Sequence, residues 1–583
     1  MSVRLRLGAV AFFVVLSCTS AAVSAQAQEA EPEENTISGV VLNSITHEPI
    51  ARALVTSTDN RLAAFTDTNG QFEFEIPKRA GEKSSTADTL VNPAASAPPQ
   101  TKMWTLTALK PGYLRQSPGG AAYINVRLGQ KDVTLPLTPE ALIVGKVAFP
   151  DPTNRARVEL YRREVRDGIA HWSPTGTVHT RSDGEFRFAD LAAGQYKLFT
   201  REVLDRDPLT VDPGGQLYGY PPVYFPAASD FGSAGVITVA AGQTFQANLS
   251  PAKQRYYPVS ITTTGTMPAN DSGLQIVVSA QGHRGPGYEL GYDPSQRVIS
   301  GLLPNGNYTI EALGYGGVLT ISSSDGRGLT TFSTSASGMI KLAVAEESIN
   351  NAVMQLVPNS NIPVNVTEQF TNPASSPAFQ IRRATINGAR TNYLNVGLEP
   401  VDDFGAAPVG SVWSPDSRSL QNVPPGRYWV RVDIDSTQGF VSSLTSGSVN
   451  LLRHPLEVGV GGAIAPIELT VRDDGADVEG SVEARAPQDR ASGADKSDVI
   501  YLIPLSDSAG QFRQLQFGGG STFTLSQVPP GSYRILAFDR EQRDLEYSNP
   551  EAMREYSHKG VVVNLVGGQK IKIKVPLISS DEE

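Results

Sequence analysis

Val423-Pro424-Pro425-Gly426-Arg427-Tyr428-Trp429-Val430-Arg431-Val432 decides the fold, because it returns as Val528-Pro529-Pro530-Gly531-Ser532-Tyr533-Arg534-Ile535. The core of the motif, Gly-x-Tyr, occurs twice more, as Gly194-Gln195-Tyr196 and Gly306-Asn307-Tyr308. By subtraction the four tyrosines lie 112, 120 and 105 positions apart. That period is the size of a small domain rather than of a solenoid repeat. Each motif opens an alternating strand. Tyr428, Val430 and Val432 share one face, with Arg431 and Asp433 on the other. Tyr533, Ile535 and Ala537 oppose Arg534, and Tyr308, Ile310 and Ala312 oppose Thr309 and Glu311. A period of two with one apolar face predicts a half-buried antiparallel strand.

Glycines 194, 306, 426 and 531 supply turn geometry closed to other residues. Tyrosines 196, 308, 428 and 533 then bury their rings while each hydroxyl bonds nearby backbone. This is the tyrosine-corner device of immunoglobulin-like sandwiches. These eight residues are read as structural. Two further strands recur. The opening one reads Ile37-Ser38-Gly39-Val40-Val41, Ile143-Val144-Gly145-Lys146-Val147 and Val478-Glu479-Gly480-Ser481-Val482. A closing strand follows the Gly-Gln turns at 129–130, 242–243 and 568–569. The last reads Lys570-Ile571-Lys572-Ile573-Lys574-Val575.

These markers predict an all-β chain of tandem immunoglobulin/prealbumin-like antiparallel β-sandwich domains. The expected sandwiches are 37–140, 141–252, 253–358, 359–473 and 474–583, strung into a rod. The first lacks Gly-x-Tyr and carries an insertion at 78–101, after which its strand resumes at Trp104. One short helix is expected from Pro550 to Tyr556, capped by Asn549.

The 583 residues are 40% hydrophobic, with 54 glycines and 41 prolines, a composition suited to short strands and many turns. Residues 1–25 read as a signal peptide, with basic Arg4 and Arg6, an apolar run from Ala9 to Cys18, and small residues near Ala25. Residues 26–36 are a linker. Ordinary cleavage is preferred to lipid attachment at Cys18, because Leu16 fits a lipidation site poorly. The expected location is periplasmic, outer-membrane associated or extracellular. Net charge is −10, or −12 without Arg4 and Arg6, which argues against nucleic acid as a partner. No mature transmembrane segment is expected.

The first sandwich resembles the carboxypeptidase regulatory-like domain. The matching stretches are Gly39-Val40-Val41-Leu42-Asn43, Thr46-His47-Glu48-Pro49-Ile50-Ala51 and Thr66-Asp67-Thr68-Asn69-Gly70-Gln71-Phe72. The second carries a similar hairpin, Ser182-Asp183-Gly184-Glu185-Phe186-Arg187-Phe188. Tyr224-Phe225-Pro226-Ala227-Ala228-Ser229-Asp230 and Leu545-Glu546-Tyr547-Ser548-Asn549-Pro550 are similar to stretches of exported bacterial proteins built from such domains. The resemblance implies a seven-stranded prealbumin-like sandwich, grouped with carbohydrate-binding-like folds. It does not imply peptidase activity.

Residues with the spacing of a catalytic or metal site are few. His454-Pro455-Leu456-Glu457 with His558 has zinc-like spacing, but repeat strands leave no room for a catalytic domain between them. Asp473-Asp474-Gly475-Ala476-Asp477 reads as a polar linker in preference to a calcium loop. Lys146 and Asn248 invite an isopeptide cross-link, but Lys146 falls on the solvent face. Neither an enzyme nor a cofactor is expected. Trp172, Trp413 and Trp429, with Tyr218, Tyr220 and Tyr224 in a Pro- and Gly-rich stretch, are aromatic residues available to stack on sugar. The resulting expectation is an exported, non-catalytic binding or scaffolding protein whose partner is polysaccharide or another cell-envelope component. The alternative is an accessory chain of an exported carboxypeptidase or glycan-degrading system.

Overall fold

A computed structural model describes residues 36–76, 103–115, 123–149, 155–204, 217–266, 273–280, 285–322, 328–371, 394–401, 419–434, 439–461, 464–483, 497–505, 510–518 and 522–578. The signal segment, Cys18, residues 78–101 and Trp413 lie outside this set. The described residues are strands and turns, with a single 3₁₀ turn at Ala552–Arg554. That turn stands where a helix was expected. Glu551, not Asn549, stands at its N-terminus, without a side-chain cap bond; Asn549 Oδ1, just before it, accepts from Glu551 N–H at 3.0 Å, and the chain does not wind further.

The chain forms two compact units. The first comprises Met1–Leu42, Glu48–Ala108 and Ala122–Pro136, and the second the remainder. In the first unit, strand Thr36–Asn43 lies between Gln71–Glu75 and Val133–Leu137. Its second sheet runs Ala63–Phe65, Leu54–Ser57, Met103–Leu109, Ile124–Arg127. Trp104, Leu106 and Val126 face inward, while Phe65 and Met103 face solvent.

Four of the second unit's hydrophobic cores follow one another in chain order. They centre on Ile143 and Leu160, on Ile261 and Ile310, on Ile362 and Leu469, and on Val478 and Ile535. One construction recurs in all four. An opening strand takes an antiparallel neighbour on one side and the closing strand, parallel to it, on the other. Ala141–Lys146 lies between Glu185–Leu191 and Thr244–Gln246 in this way. Ala476–Val482 lies likewise between Thr522–Val528 and Lys570–Val575. Glycine in the opening strand is fixed by close approach. Gly145 sits opposite Phe186, and Gly480 opposite Phe523. A Cβ there would fall 2.7 Å from the Phe186 ring and 2.1 Å from the Phe523 ring. The glycine therefore leaves space for a phenylalanine laid across the strand.

The corner strands are Gly194–Thr200, Gly306–Ser322, Gly426–Ile434 and Gly531–Phe538. Every tyrosine hydroxyl donates to the carbonyl four residues back: Tyr196 to Ala192 (2.7 Å), Tyr308 to Pro304 (2.9 Å), Tyr428 to Pro424 (3.0 Å) and Tyr533 to Pro529 (2.7 Å). At Gly426, with φ 158°, a Cβ would stand 2.9 Å from the Tyr428 hydroxyl, so the ring folds back over the glycine.

Two expectations change. The strands Val203–Leu204 and Leu217–Tyr220 fall within the stretch assigned to the second sandwich. They hydrogen-bond instead into the third, against Gln254–Gly265. Contacts within the second unit also join sandwiches that are not neighbours in sequence. The second sandwich touches the fourth through His171 and Glu399, and the fifth through Arg163 and Glu546.

Candidate functional site

The second sandwich gathers most of the residues singled out for function. Strands Arg157–Arg166, Ile169–His179 and Gly194–Thr200 pair side by side. Alternation then places Tyr161, Trp172, Lys197 and Phe199 on the face turned away from the main core. Residues 221–236 lie across that face and add Tyr224, Phe231 and Ala234. The result is a second, mostly aromatic core. Phe199 stacks on Tyr224 at 5.2 Å, and Phe231 meets Trp172, Tyr161 and Phe199 edge-on.

Lys197 is buried inside it. Its Nζ donates to the carbonyls of Phe231 (2.8 Å) and Gly232 (3.1 Å), and lies 4.9 Å from the ring centres of Trp172 and Phe231. A buried ammonium needs such partners, and aromatic faces supply part of them. Trp172 is only 7% exposed and Tyr224 5%. Neither offers a ring face to sugar, so both leave the list of stacking residues. Burial pushes the Tyr224 phenol well above its ordinary value, and its hydroxyl is spent on the carbonyl of Pro286.

A second cluster forms where the hairpin tip Asp167-Gly168 meets the fourth and fifth sandwiches. Asp-Gly, with φ 49° and 72°, is the tight-turn pair favoured between twisted strands. Gly168 packs beneath Tyr547, where a Cβ would sit 2.6 Å from the ring. Ser548 N–H and Oγ donate to the carbonyls of Gly168 and Asp167, each at 3.2 Å. Arg163 reaches Glu546 Oε1 at 2.6 Å, and Tyr547 stacks on Phe512 at 3.6 Å. From the fourth sandwich, Arg431 binds Glu399 at 2.8 Å and Asp167 at 3.3 Å, while His171 Nε2 stands 3.4 Å from Glu399.

Burial raises the Asp167 carboxyl. Arg431 opposes this, while Glu399 and Asp433 add to it. Burial pushes the Glu399 carboxyl up too, but His171 and Arg431 outweigh it, so that group sits low. A histidine beside a carboxylate is the raw material of general-base chemistry. Here His171 is 5% exposed and Glu399 7%, too enclosed to meet a substrate.

The third cluster joins the second and third sandwiches. Glu159 takes Arg201 Nε at 2.6 Å and Arg157 Nη2 at 2.8 Å. Glu289 of the third sandwich takes Arg201 Nη1 at 2.6 Å and Arg157 Nη1 at 3.6 Å. Glu202 accepts the Glu289 N–H at 2.8 Å, and burial lifts its carboxyl to about 7. No pattern in the sequence marks these residues, since the partners are 42 and 88 positions apart.

The remaining candidates are dispersed. Trp429 is half-buried on the outer face of the fourth sandwich, directly across the strand pair from Glu399 and two residues before Arg431. Asp473 accepts from Thr371 N–H and Oγ1, Asp474 pairs with Arg472, and Asp477 with Lys570. These carboxylates are thus each engaged by a neighbouring side chain or backbone N–H. His454, Glu457 and His558 are exposed, and the described residues hold no cluster of three metal-ligating side chains. Lys146 is exposed, and its backbone N–H, not its amine, meets Asn248 Oδ1 at 3.0 Å.

No family model matches the chain, and no curated protein does. Among solved structures it is similar to the Bacillus anthracis TIE protein, at 12% identity and a TM-score of 0.14, over 55% of this chain and 50% of that one. It is similar to a Streptococcal ancillary pilin at 10% and 0.19, over 55% and 98%. It is also similar to two B repeat units of the collagen-binding protein of Staphylococcus aureus at 8% and 0.13, over 75% and 99%. The chain thus spans half the length of the first of these. Likeness at this level leaves the functional reading to the residues themselves.

Proposed function

We propose that this chain is an exported, non-catalytic scaffolding or binding protein of the cell envelope. In this reading it is built from five sandwiches of the carboxypeptidase regulatory-like kind. One observation carries it. Among the described residues, the clustered groups His171, Glu399, Lys197 and Glu159 are buried at joints or beneath a covering segment and Arg431 is half-buried beside them, where they fix geometry rather than meet substrate. Enzymes converge such groups on an accessible cleft. Polysaccharide remains the ligand class within this reading, with Trp429 partly accessible where Trp172 and Tyr224 are buried.

The test is retention of envelope components by the chain from residue 26 onward, with a glycan array in parallel. Retention of a macromolecular component without turnover supports the proposal. Turnover of envelope peptide or glycan that disappears in His171→Ala overturns it. Glycan binding that survives Trp429→Ala removes that ring from the contact.

A further inference from the structure

The second sandwich is joined to its neighbours in two different ways. Its hairpin, Arg157–Arg166 and Ile169–His179, presents the tip Asp167-Gly168 to the fourth and fifth sandwiches. The fifth is held by two hydrogen bonds from Ser548, by Arg163 on Glu546, and by the Tyr547 ring laid over Gly168. The fourth is held by Asp167 on Arg431 and by His171 beside Glu399. The Asp167 side chain is 56% exposed, so water and salt reach its ion pair. Among the described residues, the apolar clusters of the second, fourth and fifth sandwiches each keep within their own sandwich. Partly exposed ion pairs hold weakly and are screened by salt. A polar joint between domains behaves like a transient interface.

The joint between the second and third sandwiches is of another kind, because it shares backbone. Val203–Leu204 pairs with Leu217–Tyr220, which pairs in turn with Gln254–Gly265 of the third. The buried Tyr220 meets Phe149 edge-on at 4.9 Å. The Tyr224 hydroxyl donates to the Pro286 carbonyl, and Arg201 holds Glu159 and Glu289, each at 2.6 Å. Parting these two sandwiches would leave sheet hydrogen bonds unmade as well as ion pairs broken.

We propose that the Asp167-Gly168 tip is a reversible clasp: it releases the fourth and fifth sandwiches while the second and third stay joined and each sandwich stays folded. Release uncovers Glu399 and Arg431, on the face that carries Trp429, together with the Tyr547 ring. Gly168 sets the closed position. At φ 72° it admits no Cβ unless the Tyr547 ring moves, so the clasp seats fully only with glycine there. The inference stands apart from the identity of any ligand.

The test is pulsed dipolar spectroscopy on the full chain with Cys18→Ser, in two labelled pairs. Thr238→Cys with Val562→Cys spans the second and fifth sandwiches, and Thr238→Cys with Val353→Cys spans the second and third. All three sites are exposed. At low salt the wild type should give one narrow distance in each pair. Arg163→Glu, which sets two carboxylates against each other, should add a second, broad population to the first pair and leave the second pair unchanged. Arg163→Glu combined with Glu546→Arg should return the first pair to one distance. A first pair left unchanged by Arg163→Glu, by Gly168→Ala and by both together overturns the clasp, as does a second pair that broadens in step with the first. If the variants fail to fold, the wild type in rising salt decides. Between roughly 0.01 M and 1 M, as the screening length shrinks from about 30 Å to about 3 Å, the first pair alone should broaden. A first pair constant over that range overturns the clasp.

Discussion

The corner strands of the fourth and fifth sandwiches begin alike and end differently. After the tyrosine, the outward positions are Trp429, Arg431 and Asp433 in the fourth, and Arg534, Leu536 and Phe538 in the fifth. Burial alternates along the fourth strand, and Asp433 is exposed. In the fifth, Leu536 and Phe538 are buried, because residues 539–560 return across that face with Leu545, Tyr547, Met553 and Tyr556. The second sandwich matches the fifth, with Phe199 covered by residues 221–236. The motif therefore fixes one face of the strand, and whatever lies on the other face decides its chemistry. Two sandwiches cover that face with their own chain. In the fourth, Glu399 and Arg431 receive the hairpin of the second.

The sharpest way to break this comparison is Phe538→Ala. It should cost about 3–5 kcal/mol, the scale of an emptied aromatic core position, read by calorimetry. A near-neutral result would mean that the cover is ornamental. Next is Tyr533→Phe, which removes a donor to Pro529 and an acceptor for Gln511 N–H, and should cost about 1–3 kcal/mol. Glu202→Gln should stabilise the chain by roughly 1–3 kcal/mol at pH 8, with the gain shrinking as pH falls below 7 and gone below the ordinary value of 4.5, where the wild-type carboxyl is neutral in both states. Denaturant midpoints across pH measure it. Tyr196→Phe deletes one bond, to Ala192, and should cost about 1 kcal/mol. Asp433→Ala, at the uncovered position matching Phe538, should stay within about 0.5 kcal/mol. A larger loss there would erase the contrast between the two strands.

The corner was readable because its partners are local: glycine, ring and accepting carbonyl lie within five residues. The covers were not. Residues 221–236 and 539–560 carry no period, so nothing in them announces a packed face. A signal did exist in what they cover. Tyr196-Lys197-Leu198-Phe199 and Ile535-Leu536-Ala537-Phe538 place apolar residues on both faces, the pattern of a strand enclosed on two sides. Reading Trp172 and Tyr224 as ligand contacts failed for the same reason, since aromatic rings suit a covered face as well as an open one. The ionic joints were hidden more deeply. Arg431 and Asp167, or Arg201 and Glu289, become partners only once separate sandwiches are brought together.

The closing strand Lys570–Val575 has a consequence of its own. It lies at the margin of its three-stranded sheet among the described residues, with Lys570, Lys572 and Lys574 exposed. Lys570 and Lys572 are tethered to Asp477 and Glu479 on the neighbouring strand. A chain made almost wholly of strands risks seeding cross-β aggregates wherever a sheet ends. A foreign strand approaching this border would have to seat itself beside a row of ammonium groups, which discourages fibril growth there.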